Sequence, residues 1–103
     1  MSARPTEVNV AGCPWVILEQ DLTAFEAVGY SDPAIHTILV HPGQTLRNEQ
    51  DTVLHEVMHA LLRQQGRPYS AVEERYVTAL ATGLLGVLHD NPALTKYLMR
   101  KRR

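Results

Sequence analysis

Two histidines and a glutamate stand at a spacing that can bind a metal ion and put it to use. His55 and His59 are four residues apart, so on a helix both imidazoles would project from one face. Two imidazoles in that arrangement can bind one Zn²⁺ ion, and Glu56 then lies beside the open coordination position of the metal. Zinc would lower the pKa of a water molecule, and Glu56 would accept its proton as general base. The motif therefore predicts hydrolytic zinc chemistry.

The residues around the motif carry no other charge. From Thr52 to Leu62 the titratable side chains are those of His55, Glu56 and His59 alone. A helix buried along most of its surface has this composition, with polar groups only where a ligand or base is needed. The alternative is a helix whose polar edge carries these groups without binding a metal. In that case three polar groups lie in an apolar run with no partner to offset their burial.

Length and composition indicate one soluble globular domain. The chain has 103 residues, of which 45% are hydrophobic and 20% charged, and its net charge is -1. Cys13 is the single cysteine, so an intrachain disulfide is impossible and a reducing cytoplasm is expected. The first residues do not lead into the apolar run of a signal peptide, and no stretch approaches the ~18 apolar residues of a membrane span. We therefore expect a cytoplasmic protein that does not enter a membrane.

The basic residues are concentrated at the C-terminus. Lys96 and the run from Arg100 to Arg103 supply half of the ten lysines and arginines, which leaves the rest of the chain acidic. We interpret this tail as a solvated end that complements the negative pole of a C-terminal helix. The alternative is contact with nucleic acid or an acidic partner.

The first half of the chain has the pattern of strands and turns. Residues 8–10, 15–19 and 35–40 are apolar or β-branched, whereas 29–33 indicate a turn and 23–26 either a short helical turn or an irregular segment. Pro33 and Pro42 flank the third strand and limit its pairing, which favours a position near a sheet edge. We expect a small, mostly antiparallel N-terminal sheet of two to three strands.

The second half has the pattern of helices. A helix is predicted over about 48–65, capped by Thr45 or Asn48, and a second over about 70–88. Ser70 and Glu73 have the spacing of a capping box at the start of the second helix. A short helix follows Pro92, over about 93–100. The predicted fold class is α+β, with the sheet packed on two main helices and a short C-terminal one.

A catalytic zinc takes a third protein ligand, and the second helix is the element placed to supply it. Its apolar face is centred on Val77, Leu80 and Ala81, and one turn earlier that face reaches Glu73 and Glu74. Each glutamate lies about 40 to 60° from the centre of the face, so helical geometry does not choose between them. Either one can instead stabilise the helix N-terminus through the helix dipole.

The chain resembles the small H-E-x-x-H zinc metallopeptidases whose third ligand is glutamate, the gluzincin-like group. Within that group it is most similar to the ImmA/IrrE-type enzymes and to compact phage-encoded zincins. Three features carry the resemblance: the apolar-framed motif at 52–61, the glutamate pair with its apolar stripe at 73–85, and the preceding strand at 37–40. The resemblance implies a zincin-like fold over about residues 35–90. It also implies Glu74 as the third zinc ligand, with Glu73 as the alternative.

Two functions follow as expectations. The first is a zinc-dependent metallopeptidase with His55, His59 and Glu74 as ligands and Glu56 as general base. Its peptide or protein substrate would bind extended along the 35–40 strand. The second is a non-catalytic zinc-binding interaction protein on the same scaffold, docking to a partner or nucleic acid through its basic tail.

Four further polar side chains are candidate donors to the oxyanion of the reaction. For each of them, a structural role in a helix or strand is the preferred interpretation. The four side chains are Tyr69, Tyr76, His36 and His41.

Overall fold

A computed structural model describes residues 4–101, which form a mixed four-stranded sheet and three helices. The strands are β1 (Glu7–Val10), β2 (Cys13–Glu19), β3 (Gly29–Asp32) and β4 (Thr37–Val40). The helices are α1 (Leu46–Gln64), α2 (Ala71–Asp90) and α3 (Pro92–Leu98), and a single 3-10 turn covers Thr23–Phe25. The α+β class is confirmed, as are both main helices and the short C-terminal one.

The strand order in the sheet is β1-β2-β4-β3, with β2 and β4 parallel and the other two pairs antiparallel. The prediction of two to three strands was wrong, because Gly29–Asp32 forms a strand rather than a turn. Its four residues pair with β4 from Asp32 opposite Thr37 to Gly29 opposite Val40. β3 and β4 thus form a hairpin that closes at Pro33.

The predicted edge position of the 35–40 strand was also wrong. β4 is interior, because β2 pairs with one of its sides and β3 with the other. The two prolines flank β4 without interrupting its pairing, since Pro33 lies in the hairpin turn and Pro42 follows the last paired residue. The strands with a free edge are β1 and β3.

The core lies between one face of the sheet and α1. Trp15, Ile17, Ile38 and Val40 project from β2 and β4 onto the helix, where Ala60 is fully buried against them. The small side chain of Ala60 lets the helix approach the sheet closely, and the Trp15 indole N–H donates to Gln64 Oε1 at 3.2 Å. This packing fixes the orientation of α1 against the sheet, and with it the position of the motif residues.

Helix α1 begins at Leu46, two residues before the predicted start. Thr45 is its N-cap, and the Thr45 hydroxyl accepts a hydrogen bond from the Asn48 amide at 3.3 Å. Helix α2 packs along α1, and α3 packs on α2. None of the helices within residues 4–101 is long and apolar enough to cross a membrane.

The C-terminal tail is only partly described. Lys96 lies in the last turn of α3, and the Arg100 guanidinium lies 5.7 Å from the centre of the Tyr97 ring. Arg102 and Arg103 lie outside the described residues.

Candidate metal centre

The two motif histidines face each other on α1. Their ring centroids are 4.8 Å apart, and the Nε2 atoms of His55 and His59 are separated by 3.1 Å. Both side chains are mostly buried, with 20% and 13% of their surface exposed. The pairing follows from the i, i+4 spacing, which stacks side chains on one helix face.

Glu74 completes a group of three possible ligands. Its Oε1 atom lies 2.8 Å from His55 Nε2 and 2.8 Å from His59 Nε2. The three candidate ligand atoms therefore converge on one point, and they lie within 4.8 Å of one another. Of the two glutamates that the sequence left open, Glu74 is the one whose carboxylate reaches both imidazoles.

The donor set fits a catalytic zinc ion. Two imidazole nitrogens and one carboxylate oxygen are a known three-ligand set for this metal, with a fourth position left for water. A tetrahedral ion with bonds of ~2.0–2.1 Å holds its ligand atoms about 3.3 Å apart. The three ligand atoms are already 2.8 to 3.1 Å apart, so a small outward movement would admit the ion.

Glu73 lies outside the ligand group and contacts the other nitrogen of His59. Its Oε2 atom lies 2.6 Å from His59 Nδ1, and its Oε1 atom accepts a hydrogen bond from Arg63. A carboxylate only accepts hydrogen bonds, so Glu73 accepts the hydrogen bond of the Nδ1 proton, and Nε2 is the candidate ligand atom. A carboxylate behind a histidine ligand orients the ring and raises its basicity.

The capping box predicted for Ser70 and Glu73 was wrong. Ser70 is the N-cap of α2, but its side chain makes no capping hydrogen bond. The Glu73 amide donates to the Ser70 carbonyl at 3.1 Å, while the Glu73 side chain is turned away toward His59 and Arg63. A buried cation and an imidazole N–H are stronger partners for this carboxylate than the helix-end amide would be.

Glu56 lies next to the ligand group without joining it. It is buried, with 7% of its surface exposed, and its Oε2 atom is 4.0 Å from His55 Nε2. The Ser31 hydroxyl lies 2.9 Å from the other carboxylate oxygen, Oε1, and 2.8 Å from the Glu56 backbone oxygen. Strand β3 thus holds one oxygen of the predicted base and leaves the second turned toward the histidines.

Burial and neighbouring charges shift three pKa values in the site. Burial raises the pKa of Glu56, and the hydrogen bond from Ser31 and the adjacent histidines only partly oppose it. Burial disfavours the charged form of His59, but its hydrogen bonds to Glu73 and Glu74 outweigh burial and raise its pKa. Burial also disfavours the Glu73 carboxylate, yet its hydrogen bonds with His59 and Arg63 leave its pKa below the ordinary value.

These groups line an open cavity of about 400 Å³ between α1, α2 and β3. Beside the predicted site residues, its wall includes Gly29, Tyr30, Ser31, Pro33 and Arg63. The four of them from the 29–33 segment were not predicted at the site, because the pattern of that segment indicates a turn. Arg63 alone had a detectable signal, since it follows His59 by four residues and so lies on the same helix face.

Strand β3 can approach Glu56 closely because residue 29 is glycine. A Cβ atom at this position would lie 2.6 Å from Thr52 Cγ2 and 3.0 Å from Glu56 Oε2. Any larger residue would force the strand and the helix apart, so the distance between Ser31 and Glu56 depends on Gly29.

The structure brings only one of the four candidate oxyanion donors to the site. Tyr69 lines the cavity, and its ring centre is 6.2 Å from that of His59. Tyr76 lies in a separate groove, His36 contacts Cys13 and Trp15, and His41 accepts a hydrogen bond from the Leu22 amide. The structural roles expected for His36 and His41 are therefore the roles observed.

Compared with family models, with curated proteins and with solved structures, the chain matches none of them.

Proposed function

We propose that the chain is a zinc-dependent peptidase. The observation that carries the proposal is the convergence of His55 Nε2, His59 Nε2 and Glu74 Oε1 on one point, with the Glu56 carboxylate beside it. A structural zinc site usually has four protein ligands, whereas three ligands with an adjacent carboxylate are typical of hydrolytic sites. The α+β arrangement around α1 supports a zincin-like assignment.

Each site residue has a role in this proposal. His55, His59 and Glu74 would hold zinc, which when bound would supply Lewis-acid activation of a water molecule and of the scissile carbonyl. Glu56 takes a proton from the attacking water at Oε2 and delivers it to the leaving amine. Ser31 holds the Glu56 carboxylate in place through Oε1. Glu73 accepts the hydrogen bond of the His59 Nδ1 proton, so that Nε2 is the nitrogen available to the metal.

The free edge of β3 is the place where we expect an extended peptide substrate, in place of the 35–40 strand. The His41 amide donates to the Val28 carbonyl at 2.8 Å, and hydrogen-bonded pairs alternate along an antiparallel ladder. Tyr30 therefore bonds to β4, while the main-chain groups of Gly29 and Ser31 point to the open edge. Both residues line the cavity, so a strand added there would pass beside Glu56.

Metal content is the first test of the proposal. We expect the purified protein to bind about one zinc ion per chain and His55→Ala to lose it. His89→Ala is the matched control, because His89 is exposed in the last turn of α2 and should leave the metal content unchanged. A folded wild-type protein that binds no zinc would contradict the proposal.

Cleavage of an unstructured test protein is the second test. Glu56→Gln should keep the zinc and abolish cleavage, because the amide cannot accept the proton of the attacking water. Zinc binding without cleavage by the wild type would instead support the non-catalytic interaction protein. In that case, removing residues 100–103 should abolish binding to an acidic partner or nucleic acid while the zinc content stays the same. The single cysteine supports a cytoplasmic location for either function.

A further inference from the structure

One side of α2 is apolar and uncovered. The helix packs on α1 through Val77 and Ala81, both buried. A second set of large apolar side chains lies 41–65% exposed along its whole length: Val72, Tyr76, Leu80, Leu84 and Val87. At 100° per residue this stripe covers about 120° of the helix circumference. A contiguous apolar surface of this kind is typical of a site of protein–protein contact.

The stripe continues onto α1 through a groove of about 580 Å³ between the two helices. Met58, Leu61 and Leu62 line the α1 side of the groove, and Tyr76 and Leu80 line the α2 side. The uncovered surface is thus wider than one helix. The groove and the cavity of the metal centre are neighbours, since Glu73 lines both, but none of the three candidate ligands lines the groove.

One position within the stripe carries no side chain. A Cβ atom added at Gly83 would have nothing within 4 Å, so this position leaves a gap in the stripe. If a two-fold axis passes near Leu80 and the helices run antiparallel, Tyr76 of one copy faces Gly83 of the other. The same axis places Val72 opposite Val87. The bulkiest side chain of the stripe then lies over its smallest residue at two symmetric positions.

The charges at the ends of the stripe are complementary in the same arrangement. Exposed Arg67 lines the groove at the N-terminal end of α2, and exposed Asp90 ends the helix in line with Val72. Antiparallel pairing places Arg67 of each copy near Asp90 of the other. It also places the positive end of each helix dipole beside the negative end of the other. The one charged residue within the stripe, Glu73, is turned inward to His59.

We propose that the chain forms a homodimer in which α2 packs antiparallel on α2 of a second copy, about a two-fold axis near Leu80. A helix of 20 residues supplies a contact ~30 Å long, and the groove widens it on both copies. The interface is at the small end of those seen in stable complexes, so we expect a micromolar dissociation constant. The dimer does not depend on zinc and leaves the cavity beside Glu56 open.

Sedimentation velocity on the full chain, with and without a chelator, tests the proposal. At tens of micromolar we expect a species of twice the 11.5 kDa chain mass. Leu80→Asp should make the protein monomeric at the same concentration. Leu18→Asp is the matched control, because Leu18 is a half-exposed leucine on β2, and it should leave the dimer intact. A monomeric wild type, or a Leu80→Asp dimer, would overturn the proposal and leave the face to an unrelated protein.

A second variant separates weakened association from poor folding. Gly83→Leu should stabilise the isolated helix, because glycine is a poor helix former and the site has open space. It should nevertheless weaken the dimer by filling the gap for Tyr76. Unchanged association of Gly83→Leu would contradict the proposed axis.

Charge reversal tests the antiparallel arrangement. Arg67→Asp and Asp90→Arg should each weaken the dimer about three- to tenfold, since each exposed pair occurs twice across the axis. The double variant should restore the wild-type dissociation constant. If it does not, the antiparallel arrangement is wrong.

Discussion

The hydroxyl of Ser31 on β3 lies 2.9 Å from Glu56 Oε1 on α1, although 25 residues separate the two in the chain. The contact joins the strand at the sheet edge to the carboxylate proposed as general base. Burial raises the pKa of Glu56, and the hydrogen bond from Ser31 opposes that rise. Ser31 therefore adjusts both the position and the protonation of Glu56.

Removing this hydroxyl should raise the pKa of Glu56 further. Glu56 accepts a proton only as a carboxylate, so the acidic limb of the pH profile of kcat/KM should move to higher pH in Ser31→Ala. We also expect a roughly tenfold loss of activity, the effect of one hydrogen bond to a charged group. Carbon NMR titration of the Glu56 carboxyl checks the pKa directly. Ser31→Thr keeps a hydroxyl and should restore most of the wild-type profile, whereas an unshifted Glu56 in Ser31→Ala would contradict this role.

Gly29 should be intolerant of a side chain. The Cβ of Gly29→Ala would lie 2.6 Å from Thr52 Cγ2, so the strand or the helix must move. We expect a loss of about 1–3 kcal/mol in the free energy of unfolding, measured by urea denaturation with Trp15 fluorescence. Gly86→Ala is the control, since a Cβ there meets nothing within 4 Å and should stabilise α2 by ~0.5–1 kcal/mol. Equal stability of the two variants would show that β3 is not held tightly against α1.

The two neighbouring glutamates of α2 should differ in their effect on zinc affinity. Glu74→Gln removes the oxygen proposed as third ligand, whereas Glu73→Gln removes only the group that contacts His59 Nδ1. We expect Glu73→Gln to weaken zinc binding by about 10- to 100-fold and Glu74→Gln to weaken it more. Competition with a chromophoric chelator measures both, and Glu7→Gln, at an exposed position, should have no effect. The opposite ranking would identify Glu73 as the ligand.

The stability of the metal-free protein should depend on pH through His59 and Glu73. Because the pKa of His59 is raised, this residue stabilises the fold at pH values below its ordinary pKa. That contribution is lost as pH rises through the folded-state pKa. Because the pKa of Glu73 is lowered, this residue stabilises the fold at pH values above its ordinary pKa. That contribution is lost as pH falls through the folded-state pKa. Chelator-treated wild type should therefore exceed Glu73→Gln in unfolding free energy most clearly between those two pKa values. A difference independent of pH would exclude the ion pair as its source.

Local patterns predicted the elements that depend on local interactions. Both long helices follow from an apolar period of 3.6 residues, and Thr45 caps the first of them as one of the two candidates. The pairing of His55 with His59 needs only the geometry of a single helix. The strand at 29–32 was missed because Gly29 and Pro33 are typical of turns. The strand forms through pairing with β4 and through close packing of Gly29 on α1, and neither contact is visible in the segment itself.

By itself, the sequence determined an H-E-x-x-H motif on a helix, an α+β class and a pair of candidate third ligands, because each depends on residues near one another in the chain. The tertiary structure decided which glutamate reaches both histidines and which strand lies beside Glu56. Glu73 and Glu74 are adjacent on one helical turn, so only the position of α2 against α1 turns one toward Nε2 and the other toward Nδ1 of His59. Likewise, only the strand order makes β4 interior and leaves β3 at the edge of the site.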